Sequence, residues 1–184
     1  MKGTGRVFVV AGPSGAGKDT LIKEVLKDLD AHLSVSATTR KPRAGEKDGR
    51  DYRFLSDKEF DRLVADGAFL EHKDVFDRRY GTLKSEVDEV VASGRDVILE
   101  IDVQGALEVR SRLPDATLIF IMPPSLDELE ARLRNREADD EGEIRKRTGM
   151  APGEIEVGTR EFDEIIVNDD VSRAARELAR ILGR

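Results

Sequence analysis

Val7–Phe8–Val9–Val10–Ala11–Gly12–Pro13–Ser14–Gly15–Ala16–Gly17–Lys18–Asp19–Thr20 is the stretch on which the fold turns. An unbroken apolar run stopped by Gly-Pro predicts a strand buried on both faces. From Thr20 to Leu29, the side chains of Leu21, Ile22, Val25, Leu26 and Leu29 fall on one stripe at the helical period. Between strand and helix stands the spacing G-x-x-x-x-G-K. Its glycines let the backbone turn so tightly that successive N–H groups converge on phosphate oxygens. The following helix brings the positive end of its dipole to the same point, and Lys18 adds a movable cation. In this strand–turn–helix setting the spacing predicts a cradle for a nucleoside triphosphate or a similar polyphosphate. Asp19 stands where the pattern has a Ser or Thr whose hydroxyl ligates Mg2+. The carboxylate can take the cation directly or through water, or Thr20 can substitute.

Further along, Val97–Ile101, Thr117–Met122 and Ile165–Asn168 are again two-faced apolar runs, alternating with helical stretches. Ser125 and Glu128 make a capping box that opens a helix over Leu126–Arg136. The last helix is expected from about Asp170 to Leu182, with Val171, Ala175, Leu178 and Leu182 on one face. Buried strands alternating with amphipathic helices argue for an α/β fold with a parallel sheet covered on both sides. Two regions depart from this rhythm. Ser34 to about Lys84 is charge-rich, with short strand-like pieces at Tyr52–Leu55 and Ala68–Glu71 around a helix capped by Ser56 and Glu59 and ended by Gly67. Glu137–Gly153 is charged, shows no core stripe, and reads as a mobile surface element.

The chain is long enough, at 184 residues, for one domain with a sizeable core. Its 31 basic and 38 acidic side chains leave a net charge of −7, a poor match for nucleic acid or an anionic membrane. Any phosphate site must therefore be built locally. Cysteine is absent, which excludes disulfides and thiolate metal sites and fits a reducing cytoplasm. The run at Val7–Ala11 is too short for a signal segment or a membrane span. Neither His32 nor His72 has ligand-like spacing.

Ser36-Ala37-Thr38-Thr39-Arg40-Lys41-Pro42-Arg43-Ala44-Gly45-Glu46 packs three cations and three hydroxyls into one turn-rich segment. The guanidinium forks of Arg40 and Arg43 suit a phosphate dianion. Together with the glycine loop, this segment, Asp48–Tyr52 (D-G-R-D-Y), Phe69–Glu71 (F-L-E), Tyr80–Thr82 (Y-G-T), Ile98–Gly105 (I-L-E-I-D-V-Q-G) and Ile166–Asp170 (I-V-N-D-D) resemble, in order, the motifs of guanylate kinases. The resemblance covers essentially the whole chain. It implies a P-loop three-layer α/β/α fold with a central parallel sheet, over a single domain 1–184. Its core would be about 1–33, 95–125 and 154–184, its inserted GMP-binding subdomain about 34–84 and its mobile lid about 126–153.

The same resemblance implies an ATP:GMP phosphotransferase, acting with Mg2+ in the cytoplasm, with ATP and GMP (and dGMP) as its partners and no nucleic acid or membrane. Gly12, Pro13, Ser14, Gly15, Ala16, Gly17, Lys18, Asp19 and Thr20 would hold ATP, with Asn168 against its adenine. Ser36, Arg40, Arg43, Tyr52 and Tyr80 would hold the GMP phosphate. Glu71, Thr82 and Asp102 would read the base: guanine's N1–H and 2-amino group donate, carboxylates only accept, and Thr82 can donate to O6. Adenine lacks that donor pair. Glu100 and Asp102 alternate at the end of a buried strand, the edge where open parallel sheets bind ligands. Glu100 reads either as a structural residue or as the partner of a metal-linked water or of Lys18. Arg132, Arg136 and Arg147 match the lid pattern and, with Lys18, would stabilise charge on the transferring phosphoryl group. Pro152, Gly149 and Gly153 predict a break in the lid's return helix, restarting near Glu154. A related enzyme, ribose 1,5-bisphosphate phosphokinase, also carries Asp after the loop lysine and needs no base-reading set. A non-enzymatic guanylate-kinase-like scaffold module would lack the phosphate cradle.

Overall fold

The computed structural model describes residues 4–75, 78–135 and 140–183. The first half of the chain carries β1 (Val7–Ala11), α1 (Lys18–Val25), β2 (Ala31–Leu33), β3 (Ala37–Thr38), β4 (Arg53–Phe54), α2 (Asp57–Ala65), β5 (Phe69–Val75), β6 (Arg78–Leu83) and α3 (Lys84–Ala92). Then follow β7 (Asp96–Glu100), α4 (Val103–Arg112), β8 (Thr117–Met122), α5 (Leu126–Arg134), α6 (Glu141–Glu161), β9 (Glu164–Val167) and α7 (Val171–Leu182). The main sheet has the order β2-β7-β1-β8-β9, and β2 with β7, β1 with β8, and β8 with β9 all run parallel. This is the central parallel sheet expected from the two-faced apolar runs. A second sheet, β4-β3-β6-β5, is mixed: β5 and β6 form an antiparallel hairpin.

The chain divides into two compact units: Met1–Val7, Ala31–Leu99 and Leu107–Ala116 form one, and Phe8–Asp30, Glu100–Ala106 and Thr117–Arg184 the other. In the first, Ala37, Phe60, Phe69 and Leu83 make a buried cluster, with the rings of Phe60 and Phe69 stacked at 4.6 Å. The Arg79 guanidinium lies 4.3 Å from the Phe60 ring centre, a cation over an aromatic face. The predicted capping box is present: Ser56 accepts from the Glu59 N–H, and Glu59 accepts from Ser56.

In the second unit, β1 and β8 are buried on both faces, and α1 packs against α7, with Leu21 and Ile22 of the one and Ala175 and Leu178 of the other buried. Ser125 caps α5 and Asp170 caps α7, each through its side chain on the N–H three residues on. The expected break in the return helix does not occur. α6 runs unbroken for 21 residues with Pro152 inside it. Ile144, Ala151 and Gly158, seven apart, form a buried stripe; Ile144 and Ala151 join Leu129 and Leu133 of α5, and a Cβ at Gly158 would lie 2.3 Å from the Phe120 ring. The expected surface segment, of which residues 137–139 lie outside the described ones, thus carries a core face at Ile144 and Ala151, too sparse for a hydropathy pattern to show. Pro152, Gly149 and Gly153 all lie on the exposed side, where solvent can serve the carbonyl that Pro152 leaves without its N–H. No helix among the described residues is long and apolar enough to cross a membrane.

Candidate active site

The glycine loop links β1 to α1 within the second unit. Gly12 has φ 149°, and a Cβ there would meet the Ile121 carbonyl oxygen at 2.3 Å. Gly17, the N-cap of α1, has φ 91°, and a Cβ would stand 2.4 Å from Asn168 Nδ2. Both conformations need a residue with no Cβ. The N-terminus of α1 has no side-chain cap, so the amides of its first turn and the dipole behind them are left to an anion. Lys18 Nζ donates to the Gly12 carbonyl at 2.7 Å and to that of Pro13 at 3.2 Å, which holds the ammonium over the loop. Asp19 and Thr20 are exposed on the first turn of α1, and the Asp19 carboxylate accepts from Lys23 at 2.8 Å. Lys23 is pushed up by that bond and by the field of Glu100.

Helices α5 and α6 reach the same loop. Arg147 of α6 donates to Ser14 Oγ at 3.0 Å and to Glu143 at 3.3 Å. Arg132 of α5 donates to Glu128 at 2.9 Å and to the Asn168 carbonyl at 3.1 Å. Arg136 lies outside the described residues. Asn168 itself is buried, and its Nδ2 donates to the Ala16 carbonyl at 2.7 Å. Its neighbour Asp169 pairs with Arg173, so the I-V-N-D-D motif is a brace, an ion pair and a helix cap in succession.

Asp102 lies past the end of β7, where it caps α4: its Oδ1 accepts from the Gly105 N–H at 2.8 Å. The strand alternation that would pair it with Glu100 stops at Glu100. The Gly-containing stretch after it is therefore the first turn of a helix, which the periodicity of the strand could not reveal.

The cation-rich segment belongs to the first unit. Arg40 makes a two-pronged bond to Glu46, at 2.9 and 2.8 Å, and its guanidinium stands 5.2 Å from the Tyr52 ring centre. The rings of Tyr52 and Tyr80 meet edge to face at 6.1 Å. Arg40, Tyr52 and Tyr80 are therefore brought together. Glu46 was not among the predicted site residues, yet it organises the group. The Arg40 fork, joined by the Arg43 backbone N–H, holds its carboxyl below the ordinary glutamate range, and Glu46 in turn pushes Arg40 up. Its position three residues after Arg43 was the available signal, since Arg43 N–H bonds back to it at 2.7 Å.

Other members of the segment build the loop. Thr38 and Thr39 accept the backbone N–H groups of Arg40 and Arg79, and the Ser36 carbonyl accepts from the Arg53 N–H. In D-G-R-D-Y, Asp48 accepts from the Phe54 N–H and Asp51 from the Lys47 N–H, a turn that delivers Tyr52. The Arg43 side chain is exposed.

On the β5–β6 hairpin, Glu71 and Thr82 are opposite each other and buried, at 5% and 1% exposure. Thr82 Oγ1 donates to Glu71 Oε1 at 2.7 Å. With its one hydrogen given to Glu71, the hydroxyl offers a ligand only lone pairs here, in place of the expected donor to O6. Burial pushes the Glu71 carboxyl above the ordinary glutamate range; the Thr82 bond opposes this, and the exposed Glu108 adds to it.

Among the described residues no cluster of three His, Cys, Asp or Glu forms a protein-only metal site. An ion carried largely by phosphate oxygens needs only one or two carboxylates, and Asp19, Thr20 and Glu100 supply oxygen donors of that kind.

A family model described as guanylate kinase matches residues 4–184. The guanylate kinase of Caldanaerobacter subterraneus subsp. tengcongensis is 45% identical over 183 residues, covering 99% of this chain and 88% of the relative. That of Neisseria meningitidis serogroup A is 48% identical over 179 residues, covering 97% of this chain and 87% of the relative. Among solved structures, guanylate kinase from Anaplasma phagocytophilum superposes with a TM-score of 0.78 at 34% identity, covering 99% of this chain and 86% of that one.

Proposed function

The chain belongs to the guanylate kinase family, and on that premise we propose that it transfers the γ-phosphoryl group of ATP to GMP, giving ADP and GDP, with dGMP as a second acceptor. The observation that carries the choice of acceptor is the buried Glu71–Thr82 pair. A carboxylate sunk in the hairpin offers only acceptors, the match for guanine's N1–H and 2-amino group, and it would be left unpaired against adenine. Asp102 contributes to the same reading of the base. The GMP phosphate goes to Arg40, Arg43, Tyr52, Tyr80 and Ser36, with Glu46 holding the Arg40 fork.

ATP takes the glycine loop, residues Gly12 to Thr20. The loop amides and Lys18 receive the β- and γ-phosphates, and Arg132, Arg136 and Arg147 neutralise charge as the phosphoryl group moves in line from ADP to a GMP phosphate oxygen. The attacking oxygen is already ionised, so the protein needs no general base. Asp19 and Thr20, with Glu100 through water, would hold Mg2+, which when bound supplies further charge neutralisation on the phosphates. The compartment we propose is the cytoplasm, with neither nucleic acid nor membrane as a partner.

A coupled assay of ADP release across GMP, dGMP, AMP, UMP and ribose 1,5-bisphosphate tests the assignment. GMP and dGMP should be the good acceptors. Phosphorylation of AMP or UMP as efficiently as GMP would refute the base-reading set, and preference for ribose 1,5-bisphosphate would refute the activity.

A further inference from the structure

Asn168 follows β9 and is 2% exposed. Its backbone N–H donates to the Met122 carbonyl at 2.8 Å, which extends the β8–β9 pairing by one rung. Its side-chain Nδ2 donates to the Ala16 carbonyl at 2.7 Å, and its own carbonyl accepts from Arg132. Its Oδ1 is buried and finds no donor among the described residues. A side chain that leaves one polar atom buried and unmatched is a poor choice for stability alone, since such an atom costs about 1–3 kcal/mol. What that residue keeps, and an apolar one would lose, is the donor to Ala16.

A trans peptide is planar, so a carbonyl and the N–H that follows it point in opposite directions. Asn168 holds the Ala16 carbonyl on its own side and thereby turns the Gly17 N–H away from itself. Gly17, at φ 91° with no Cβ, offers little resistance to rotation of that peptide, so the orientation needs an external holder. We propose that Asn168 is a positioning residue for the polyphosphate: it sets the Ala16–Gly17 peptide so that the Gly17 N–H faces the anion, in place of contacting the adenine ring. The inference rests on the glycine loop being the phosphate cradle, as in the function proposed above.

The two roles separate on a ligand that has no base. Calorimetric titration of the full chain with magnesium tripolyphosphate and with MgATP should show Asn168→Ala and Asn168→Asp weakening both by the same factor, about tenfold or more, the scale of a hydrogen bond to a charged group. GMP should bind both variants as it binds the wild type, which also shows that they are folded. Loss of ATP affinity with tripolyphosphate affinity kept would return Asn168 to an adenine contact, and retention of both would leave it no part in ATP binding; either result overturns the proposal. A second measurement needs no variant. In the 15N-labelled wild type, the Gly17 amide proton should be among the most strongly shifted by tripolyphosphate, and an unmoved Gly17 signal overturns the proposal whatever the variants do. A wild-type chain that binds no tripolyphosphate removes the cradle and this inference with it, while leaving GMP binding untouched.

Discussion

The glycine loop and the Arg40–Thr82 pocket both read as sites for anionic nucleotides, and they are made by opposite means. The loop is made of backbone: glycines at φ 149° and 91°, an uncapped helix end, and carbonyls that hold Lys18. The pocket is made of side chains, each matched inside the protein: Arg40 by Glu46, and Glu71 by Thr82. A backbone cradle is written in spacing, because conformation alone produces it. The side-chain site draws on the loop between β3 and β4 and on the β5–β6 hairpin, so no local spacing announces it. The difference also sorts substitutions. In the cradle most side chains should be replaceable, Lys18 being the exception, whereas in the pocket a change of one polar atom should be felt.

Lys18→Ala marks that exception and should have the largest effect. It removes the mobile cation from a reaction whose catalysis is mainly positioning and charge neutralisation, so turnover should fall by about 10³-fold or more. Circular dichroism and GMP binding should stay as in the wild type. Retained turnover would mean that the loop amides suffice.

Glu71→Gln tests the pocket and carries a pH signature. The variant should lose about 10²-fold in kcat/KM for GMP, because an amide presents a donor where two donors must be received. In the wild type, kcat/KM for GMP should fall as pH drops through the raised pKa of Glu71, and on acidification it should lose more than the variant, whose remaining acid limb is that of the GMP phosphate itself. Stability should move the other way. A carboxyl raised in the folded state favours folding while protonated, fully so below its unfolded value, and this is lost as pH rises through the folded value. Near neutral pH the buried charge therefore opposes folding, and the neutral amide of the Glu71→Gln variant should raise Tm, with the gap closing on acidification. A variant that is less stable at every pH would show that the ionised pair stabilises the hairpin.

The contrast between spacing and assembly also governs what was legible beforehand. The apolar runs of β1, β7, β8 and β9 announced a parallel sheet, the capping residues of α2 and α5 marked those helices, and an apolar face marked α7. β2, β3 and β4, two or three residues each, are too short to carry a period. β6 reads Arg-Arg-Tyr-Gly-Thr-Leu, in which Gly81 is demanded by closeness to Phe69 and Glu71 across the hairpin, a reason that exists only after folding. In α6, local propensity was the wrong guide: Pro152 and two glycines argue against a helix, and the buried stripe of Ile144, Ala151 and Gly158 overrides them. For the candidate site, the loop was legible from residues alone, and the pocket only through resemblance to a family. The partners that tune it, Glu46 on Arg40 and Thr82 on Glu71, needed coordinates.

The smallest effect is expected at Asp19, and it bears most directly on whether the cradle is a backbone device. Serine or threonine at this place would offer a hydroxyl to the metal; here a carboxylate stands on the first turn of α1, held by Lys23 four residues on. Both groups are exposed, so the pair contributes little to the fold. Mg2+ bound to a triphosphate takes most of its ligands from phosphate and water, and one protein oxygen can replace another at the remaining position. Asp19→Ser should therefore keep kcat within about tenfold, since the amides that receive the phosphates are unchanged and only one metal ligand differs. Asp19→Ala, with Thr20 left as the nearest hydroxyl, extends the test: a modest loss, mainly in KM for MgATP, fits a backbone cradle with an adaptable metal. A folded Asp19→Ser that is inactive would make the carboxylate essential and place this loop, like the pocket, among sites built by side chains.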